Sequence, residues 1–203
     1  MAKIIIFGCT GMTGLCAVEA AVKKGLNVKA FVRNPARLPE HLKNSVEVVT
    51  GNVLDYKSVL DGIKDVSGVV VALGTNNDLS ATTDLSTGLQ NIIKAMKELN
   101  VEKISVCLSA FLFYEVGKVP PRFKDLNDEH QRMYDVLKAS GLKYIAVFPP
   151  HIADEPLGEY VTKQDAVPGA RVISKRSLGA FLVDSLDQPE HYGKTVGISN
   201  KTQ

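Results

Sequence analysis

The sequence predicts an α/β fold in which a parallel sheet is covered by helices on both faces. Short apolar runs alternate with stretches of helical period, and this alternation is typical of repeated βαβ units. The runs are almost continuously apolar, as expected for strands that are buried on both faces. A chain of 203 residues, of which 45% are hydrophobic, can bury one ample core, so we expect a single domain over residues 1–203.

Six apolar runs predict six parallel strands. They span residues 4–7, 28–32, 46–49, 69–73, 104–108 and 145–148. A long helix is predicted after the fourth strand, because apolar residues recur there at steps of three and four. Its apolar positions are Leu85, Leu89, Ile92, Met96 and Leu99, with Asn100 as its stop. A second helix around Met133 and Leu137 should end at Ser140 and Gly141, since glycine suits a left-handed cap.

The rhythm of strands and helices weakens after the sixth strand. Pro149 and Pro150 open a stretch in which prolines and glycines recur, and helical and strand-like signals return only near Arg176 and Thr195. Long loops of compact domains often carry binding function. We therefore predict a substrate loop at residues 149–175.

Three glycines stand at regular intervals after the first predicted strand. Gly8, Gly11 and Gly14, in GCTGMTG, precede a helix-like run at residues 15–22. Such a turn places a cofactor pyrophosphate at the N-terminus of a helix. Gly8 permits the sharp turn, Gly11 lets the backbone approach the phosphates, and Gly14 lets the helix pack closely. With five further strands, the turn predicts a three-layer, doubly wound Rossmann domain; a tight turn without a ligand is the alternative.

The residues after the second strand indicate which dinucleotide binds. NAD-binding proteins usually place an acid there against the ribose hydroxyl, whereas this chain has VRNPAR with no carboxylate. Arg33 can receive a 2′-phosphate with its planar fork, and Arg37 follows one turn later. The sequence therefore predicts NADPH/NADP as the cofactor; ordinary solvated arginines are the alternative.

Composition excludes several classes of partner. The formal net charge of +2 leaves no positive excess to attract a nucleic acid or a membrane surface. The longest apolar runs, at 69–73 and 144–148, are about a quarter of the length that spans a bilayer. The first residues lack the apolar region of a secretory signal, so a cytoplasmic location is expected. A small-molecule partner fits this composition best.

The three cysteines predict no metal site. Cys9, Cys16 and Cys107 have no metal-ligand spacing and neighbour small or apolar residues, which is typical of reduced, buried thiols. Cys107 stands two residues before Ser109 and so points the same way in a strand. It is the one thiol expected near the site, and we expect it to be inert.

Several motifs together resemble one family. The chain resembles the atypical short-chain dehydrogenase/reductases related to NmrA in GCTGMTG, VRNPARL, GNVLD, VVVALGTNND, SAF, SGLKYIAVFPPH and RVISKRSLG, which spread over nearly its whole length. The combination of LGTNNDLS with PPHIAD is more specific and resembles the NADPH-dependent biliverdin-IXβ reductases, also called flavin reductases. This resemblance implies a monomer that acts on a flavin or tetrapyrrole.

The resemblance also implies a set of cofactor-binding residues. They are Gly8, Thr10, Gly11, Met12, Thr13, Gly14, Arg33, Arg37, Asn52, Val53, Leu73, Gly74, Thr75 and Asn76, with His130 and His151 near the nicotinamide half. Relatives often have an acid where Asn52 stands beside the adenine. An amide can still both donate to and accept from the ring.

Ordinary short-chain reductases protonate a carbonyl oxygen with a Tyr-x-x-x-Lys pair. Tyr114 and Lys118 match this pattern, but Gly117 and the prolines that follow argue against a shared helical face. Tyr134 and Lys138 match it on a predicted helix, yet they stand one or two turns later than the pair of the relatives. The alternative role for Tyr134 is helix packing.

Without that pair, the hydride acceptor should need little acid assistance, as a delocalised ring system does. Ser109 follows the fifth strand, where open α/β sheets place ligand contacts, and could donate a hydrogen bond or relay a proton. His151 follows the sixth strand and could orient the nicotinamide or relay protons. Both are predicted catalytic residues; a serine bonded to backbone and a structural histidine are the alternatives.

The candidate substrate-binding residues are Ser109, Phe111, Tyr114, Arg122 and Arg171. The two aromatic rings could lay a flat substrate against the nicotinamide, and the two guanidinium groups could bind propionates or a phosphate. Loop packing and ordinary surface charge are the alternatives.

These observations favour hydride transfer from NADPH to flavins such as FMN and riboflavin, or to biliverdin-type tetrapyrroles, as in the reduction of biliverdin IXβ to bilirubin IXβ in heme catabolism. Two alternatives stay open. One is a non-catalytic NADP(H)-sensing module of the NmrA-like kind. The other is a conventional carbonyl reductase that uses Tyr134 and Lys138.

Overall fold

The computed structural model describes residues 2–115 and 117–202. The predicted domain of residues 1–203 therefore includes Met1, Val116 and Gln203, which lie outside the described residues. Within the described part are ten strands: β1 (Lys3–Phe7), β2 (Asn27–Val32), β3 (Glu47–Thr50), β4 (Gly68–Val71), β5 (Lys103–Cys107), β6 (Lys143–Phe148), β7 (His151–Ala153), β8 (Tyr160–Gln164), β9 (Val172–Ser174) and β10 (Lys194–Asn200).

Six α-helices lie in the same part: α1 (Met12–Lys23), α2 (Glu40–Lys43), α3 (Tyr56–Ile63), α4 (Asp84–Glu98), α5 (Lys124–Lys138) and α6 (Lys175–Asp184). Short 3-10 helices span Pro35–Arg37, Ala110–Phe113, Pro121–Phe123, Ser185–Asp187 and Pro189–His191. Asn100 and Gly141 follow α4 and α5 with positive φ angles of 55° and 71°, as expected of the predicted helix ends.

The central sheet has the strand order β3-β2-β1-β4-β5-β6-β10-β8. The first six strands are all parallel, so the six predicted strands are confirmed. β10 continues the sheet parallel to β6, and β8 closes the edge antiparallel to β10. The chain leaves β1 toward β2 on one side and later returns to β4 on the other. This reversal creates a crevice at the carboxyl ends of β1 and β4, where open α/β sheets bind ligands.

Two apolar cores lie on opposite faces of the sheet, which makes the predicted three layers. Ile4 and Ile6 of β1 pack with α1 and α6 on one face, while Ile5 and Phe7 pack with α3, α4 and α5 on the other. Successive strand residues point to opposite faces, so a continuously apolar strand feeds both cores. The predicted single-domain Rossmann fold is confirmed.

The segment 149–175 is not the irregular loop that its prolines and glycines predicted. It contains β7, β8 and β9, of which β7 and β9 pair as a small separate sheet while β8 joins the central sheet. Strands of three to five residues are too short for a periodic signal, and their partners lie far away in sequence. The role of this segment toward a substrate stays a prediction.

Candidate active site

The glycine turn has the geometry of a phosphate-binding turn. Gly8 has a φ of 82°, and a Cβ placed there would lie 2.3 Å from the carbonyl oxygen of Ala72, just after β4. A Cβ on Gly14 would lie 2.1 Å from the carbonyl oxygen of Gly8. The N–H of Gly11 donates to that same oxygen at 3.0 Å, and α1 begins at the next residue. The turn therefore brings the free N–H groups of the first turn of α1 to the crevice, which fits a dinucleotide pyrophosphate.

Both candidate arginines lie exposed beside this turn. Arg33 follows β2, the strand that pairs with β1, and Arg37 ends the 3-10 helix that begins at Pro35. The side chain of Asn34 caps that helix by accepting from the N–H of Ala36 at 3.0 Å. Among residues 2–115 and 117–202, no ion pair involves either guanidinium. Both arginines are therefore accessible to an anion such as a 2′-phosphate.

The segments that follow β3 and β4 reach the same edge of the sheet. The Oδ1 of Asn52 accepts from the N–H of Leu54 at 3.0 Å, which leaves the amide nitrogen as the group that this side chain can offer to a ligand. The carbonyl of Val53 accepts from Asn91 Nδ2 at 2.8 Å, which ties this segment to α4. After β4, Leu73 is half-buried, and Asn76 turns the chain with a φ of 53°.

Ser109 and His151 follow the carboxyl ends of the neighbouring parallel strands β5 and β6. Ser109 caps the 3-10 helix Ala110–Phe113, its Oγ accepting from the N–H of Phe111 at 3.2 Å. That bond leaves the hydroxyl hydrogen of Ser109 able to donate. The N–H of Ala110, the residue after Ser109, donates to the carbonyl of Pro149 at 2.9 Å. His151 begins β7 two residues after Pro149, and its N–H donates to the carbonyl of Arg171 at 3.2 Å.

The rings of Phe111, Tyr114 and Phe123, together with the guanidinium of Arg122, form a surface next to Ser109 that we call the aromatic patch. The Phe111 ring packs edge-on against Tyr114 at 5.4 Å and tilted against Phe123 at 5.2 Å between centroids. The Arg122 guanidinium lies 4.6 Å above the centroid of Phe123, and Tyr114 is 47% exposed. The patch thus offers flat apolar surface with a positive group beside it. Phe123 was not singled out from the sequence, although it directly follows Arg122, which was.

His130 is a half-buried histidine on α5. Burial lowers its pKa from 6.5 to about 4, a shift that the nearby Glu129 carboxylate opposes only in part. The imidazole is therefore neutral at pH 7 and can both donate and accept a hydrogen bond. His130 stands one helical turn before Tyr134 on the same face of α5, nearer to the carboxyl edge of the sheet.

The Tyr134 hydroxyl does not lie at the carboxyl edge. It shares a 2.7 Å hydrogen bond with the Thr195 hydroxyl, and the Lys138 Nζ lies 5.0 Å from the centroid of the Tyr134 ring. Thr195 pairs with Ala146, and Ala146 pairs with Val106, three residues before Ser109. Three strand residues correspond to about 10 Å. The Tyr134 hydroxyl therefore lies about this distance below the level of Ser109, as expected if Tyr134 comes too late in α5 to reach the carboxyl edge.

The other Tyr/Lys match is not on one helix. Tyr114 follows the 3-10 helix Ala110–Phe113 as its C-cap and Lys118 lies in irregular chain, with Val116 between them outside the described residues. Cys9 and Cys16 are buried as predicted, whereas Cys107 is only half-buried. Burial raises the pKa of Cys9 and of Cys107 to about 12, and it also raises the pKa of Cys16. These thiols are protonated at neutral pH and therefore poorly nucleophilic.

Glu129 and Arg132 were missed by the sequence analysis. The Glu129 side chain is fully buried, and its carboxylate accepts from the N–H of Ser86 at 2.6 Å and from the Arg132 side chain at 2.7 Å. A signal was present, because Glu129 stands in line with Met133 and Leu137 on the apolar stripe of α5. A carboxylate on such a stripe, followed three residues later by an arginine, indicates a buried ion pair.

A parallel α/β sheet with a phosphate-binding glycine turn at its switch point defines a dinucleotide-binding protein. Residues 8–189 match the model of a family described as NAD(P)H-binding, so the chain belongs to this NAD(P)H-binding family. The cofactor class that the glycine turn predicted is confirmed.

Curated relatives resemble nearly the whole chain. An isoflavone reductase homologue from Nicotiana tabacum is 25% identical over 216 residues, covering 96% of this chain and 67% of the relative. A phenylcoumaran benzylic ether reductase from Ginkgo biloba is 27% identical over 222 residues, covering 96% and 68%. A solved structure of a putative NAD-dependent epimerase/dehydratase from Bacillus halodurans superposes with a TM-score of 0.85 at 18% identity, covering 100% of this chain and 96% of that one. These two relatives are named as a reductase homologue and as a reductase, while the narrower resemblance to biliverdin-IXβ reductases stays a prediction.

Among the described residues, no helix is both long and apolar enough to cross a membrane.

Proposed function

We propose that this protein is an NADPH-dependent oxidoreductase that reduces a flat, conjugated acceptor, either a flavin or a biliverdin-type linear tetrapyrrole. The observation that carries the proposal is the aromatic patch, because it joins the exposed ring of Tyr114 and two half-buried phenylalanine rings to a guanidinium, and the N–H of Phe111 in this patch donates to Ser109. Aromatic surfaces bind flat rings by stacking, and an adjacent arginine selects those that carry a carboxylate or phosphate.

The cofactor half of the proposal depends on the glycine turn and on the two arginines after β2. When bound, NADPH supplies the hydride. Arg33 and Arg37 would hold its 2′-phosphate, since both are exposed and no carboxylate stands at the end of β2 to favour NADH. Asn52, Val53 and the segment 73–76 would hold the rest of the cofactor at the same edge.

The catalytic half of the proposal needs no strong acid. The Tyr134 hydroxyl is engaged with Thr195, and Ser109 keeps a hydrogen that it can donate toward the substrate. A conjugated acceptor takes up the electron pair of the hydride in its own ring system, and Ser109 or water delivers the accompanying proton. His151 and the neutral His130 would orient the nicotinamide half. Orientation and exclusion of water are then the main contributions of the protein.

The acceptor is tested by following NADPH absorbance with purified protein and FMN, riboflavin or biliverdin. Oxidation of NADPH no faster than without protein, for all three acceptors, would refute the proposal.

The role of Arg122 is tested by Arg122→Gln, which should raise the KM for FMN and leave that for riboflavin nearly unchanged, because only FMN carries a phosphate. Equal effects on both acceptors would contradict this role.

A second candidate is suggested by the names of the curated relatives, which include an isoflavone reductase homologue and a phenylcoumaran benzylic ether reductase. We infer from these names a neutral aromatic substrate, which the rings of the patch would also accommodate. Adding an isoflavone and a benzylic ether to the same assay separates the candidates. Tight NADPH binding with no turnover of any acceptor would instead favour an NADP(H)-sensing module.

A further inference from the structure

Helix α4 supports two of the segments that we propose to bind the cofactor. A Cβ on Gly88 of α4 would lie 2.8 Å from Val53 and 3.6 Å from Leu73, so both side chains rest against this helix. Asn91, one turn further along α4, donates to the carbonyl of Val53 at 2.8 Å. Any shift of the first turns of α4 would therefore move both segments.

The position of α4 is in turn set by a buried carboxylate of α5. Glu129 accepts from the N–H of Ser86 at 2.6 Å and from the Ser86 hydroxyl at 3.0 Å. Ser86 is the third residue of α4, where the N–H has no partner inside the helix. The carboxylate thus caps α4 in place of a local side chain, and the partial positive charge of the helix N-terminus favours it there.

Arg132 completes the arrangement by reaching the chain that enters α4. Its guanidinium donates to Glu129 at 2.8 Å through Nε and to the carbonyl of Thr82 at 2.8 Å. One ion pair therefore holds both Ser86 and Thr82, at the end of the segment that begins with Leu73 after β4. Charged hydrogen bonds of this kind are stronger than neutral ones when they are shielded from water, and Glu129 is fully shielded.

We propose that Glu129 and Arg132 are positioning residues for cofactor binding: they fix α4 and the segment 73–86 in the conformation that binds NADPH. The inference rests on the proposed contacts of Val53 and Leu73–Asn76 with the cofactor. It does not depend on which acceptor is reduced.

The test uses Arg132→Gln as its main variant, because the Arg132 side chain is 45% exposed and its loss should not prevent folding. We expect the Kd for NADPH, measured by fluorescence titration, to rise about tenfold, the effect of losing one charged hydrogen bond. Amide hydrogen exchange of residues 73–86 in the cofactor-free protein should become faster. Glu129→Gln should act in the same direction, since it keeps an acceptor for Ser86 and loses the pair with Arg132.

Leu137→Ala is the matched control, because Leu137 is buried on the same face of α5, two turns beyond Glu129. It should lower stability and leave both the Kd and the exchange of residues 73–86 near their original values. The proposal is overturned if Arg132→Gln changes neither quantity, or if Leu137→Ala raises the Kd as much. A wild-type protein that binds NADPH but reduces no acceptor would refute the proposed reaction and leave this inference intact.

Discussion

The lowered pKa of half-buried His130 predicts a specific dependence of stability on pH. Its pKa is about 4 in the folded protein, against 6.5 without burial. Below pH 6.5 the unfolded chain therefore binds a proton that the folded protein does not, so stability falls as the pH falls and levels off below about pH 4. With these two pKa values, the free energy of unfolding at pH 5 is lower than at pH 7 by about 2 kcal/mol.

The assay is urea unfolding at pH 7 and pH 5 of the wild-type protein and of His130→Gln. The wild type should lose about 2 kcal/mol more than the variant between these two pH values, because other titrating groups are common to both proteins. His41→Gln is the control for replacing a histidine, since the His41 side chain is 68% exposed. Equal losses in wild type and His130→Gln would refute the reasoning and indicate a solvated His130.

Three further predictions concern the cofactor turn and the tyrosine of α5. Arg33→Gln should weaken NADPH binding by about ten- to 150-fold in a titration, while NADH binding changes little; equal losses for both would contradict a 2′-phosphate contact. Gly14→Ala should cost about 1–3 kcal/mol or more and lower the Tm, because the new Cβ would lie 2.1 Å from a carbonyl oxygen, whereas Gly158→Ala meets nothing within 4 Å and should be tolerated. Tyr134→Phe should cost about 1 kcal/mol through the lost bond to Thr195 and keep its turnover of NADPH; loss of turnover in a folded variant would restore the carbonyl-reductase hypothesis.

Local signals explain why the parallel strands could be predicted. Each of the first six strands is a nearly continuous apolar run, and the chain between two of them must cross over the sheet. The glycine turn before α1 was equally predictable, because the spacing of its glycines is a local signal. The structure gives the physical reason for that spacing: Gly8 and Gly14 each meet a backbone oxygen that no side chain could approach. By contrast, β7, β8 and β9 were missed, since strands this short are defined by their partners rather than by their own periodicity.

The residues of the candidate site also differ in whether a local signal could predict them. Ser109 and His151 could be predicted from their places after predicted strands, and Arg122 from the affinity of a guanidinium for an anionic substrate. The pairing of Glu129 with Ser86 could not, because those residues are 43 positions apart and no local pattern connects them.

The sequence by itself determined that this chain forms a parallel α/β sheet with a dinucleotide turn, because apolar runs and glycine spacing act over a few residues. Only the tertiary structure decided the roles of the polar side chains on α5. Tyr134 is directed toward Thr195, below the carboxyl edge, and Glu129 toward the start of α4. These assignments depend on which elements pack side by side, and that packing follows from burial of both sheet faces rather than from any local pattern.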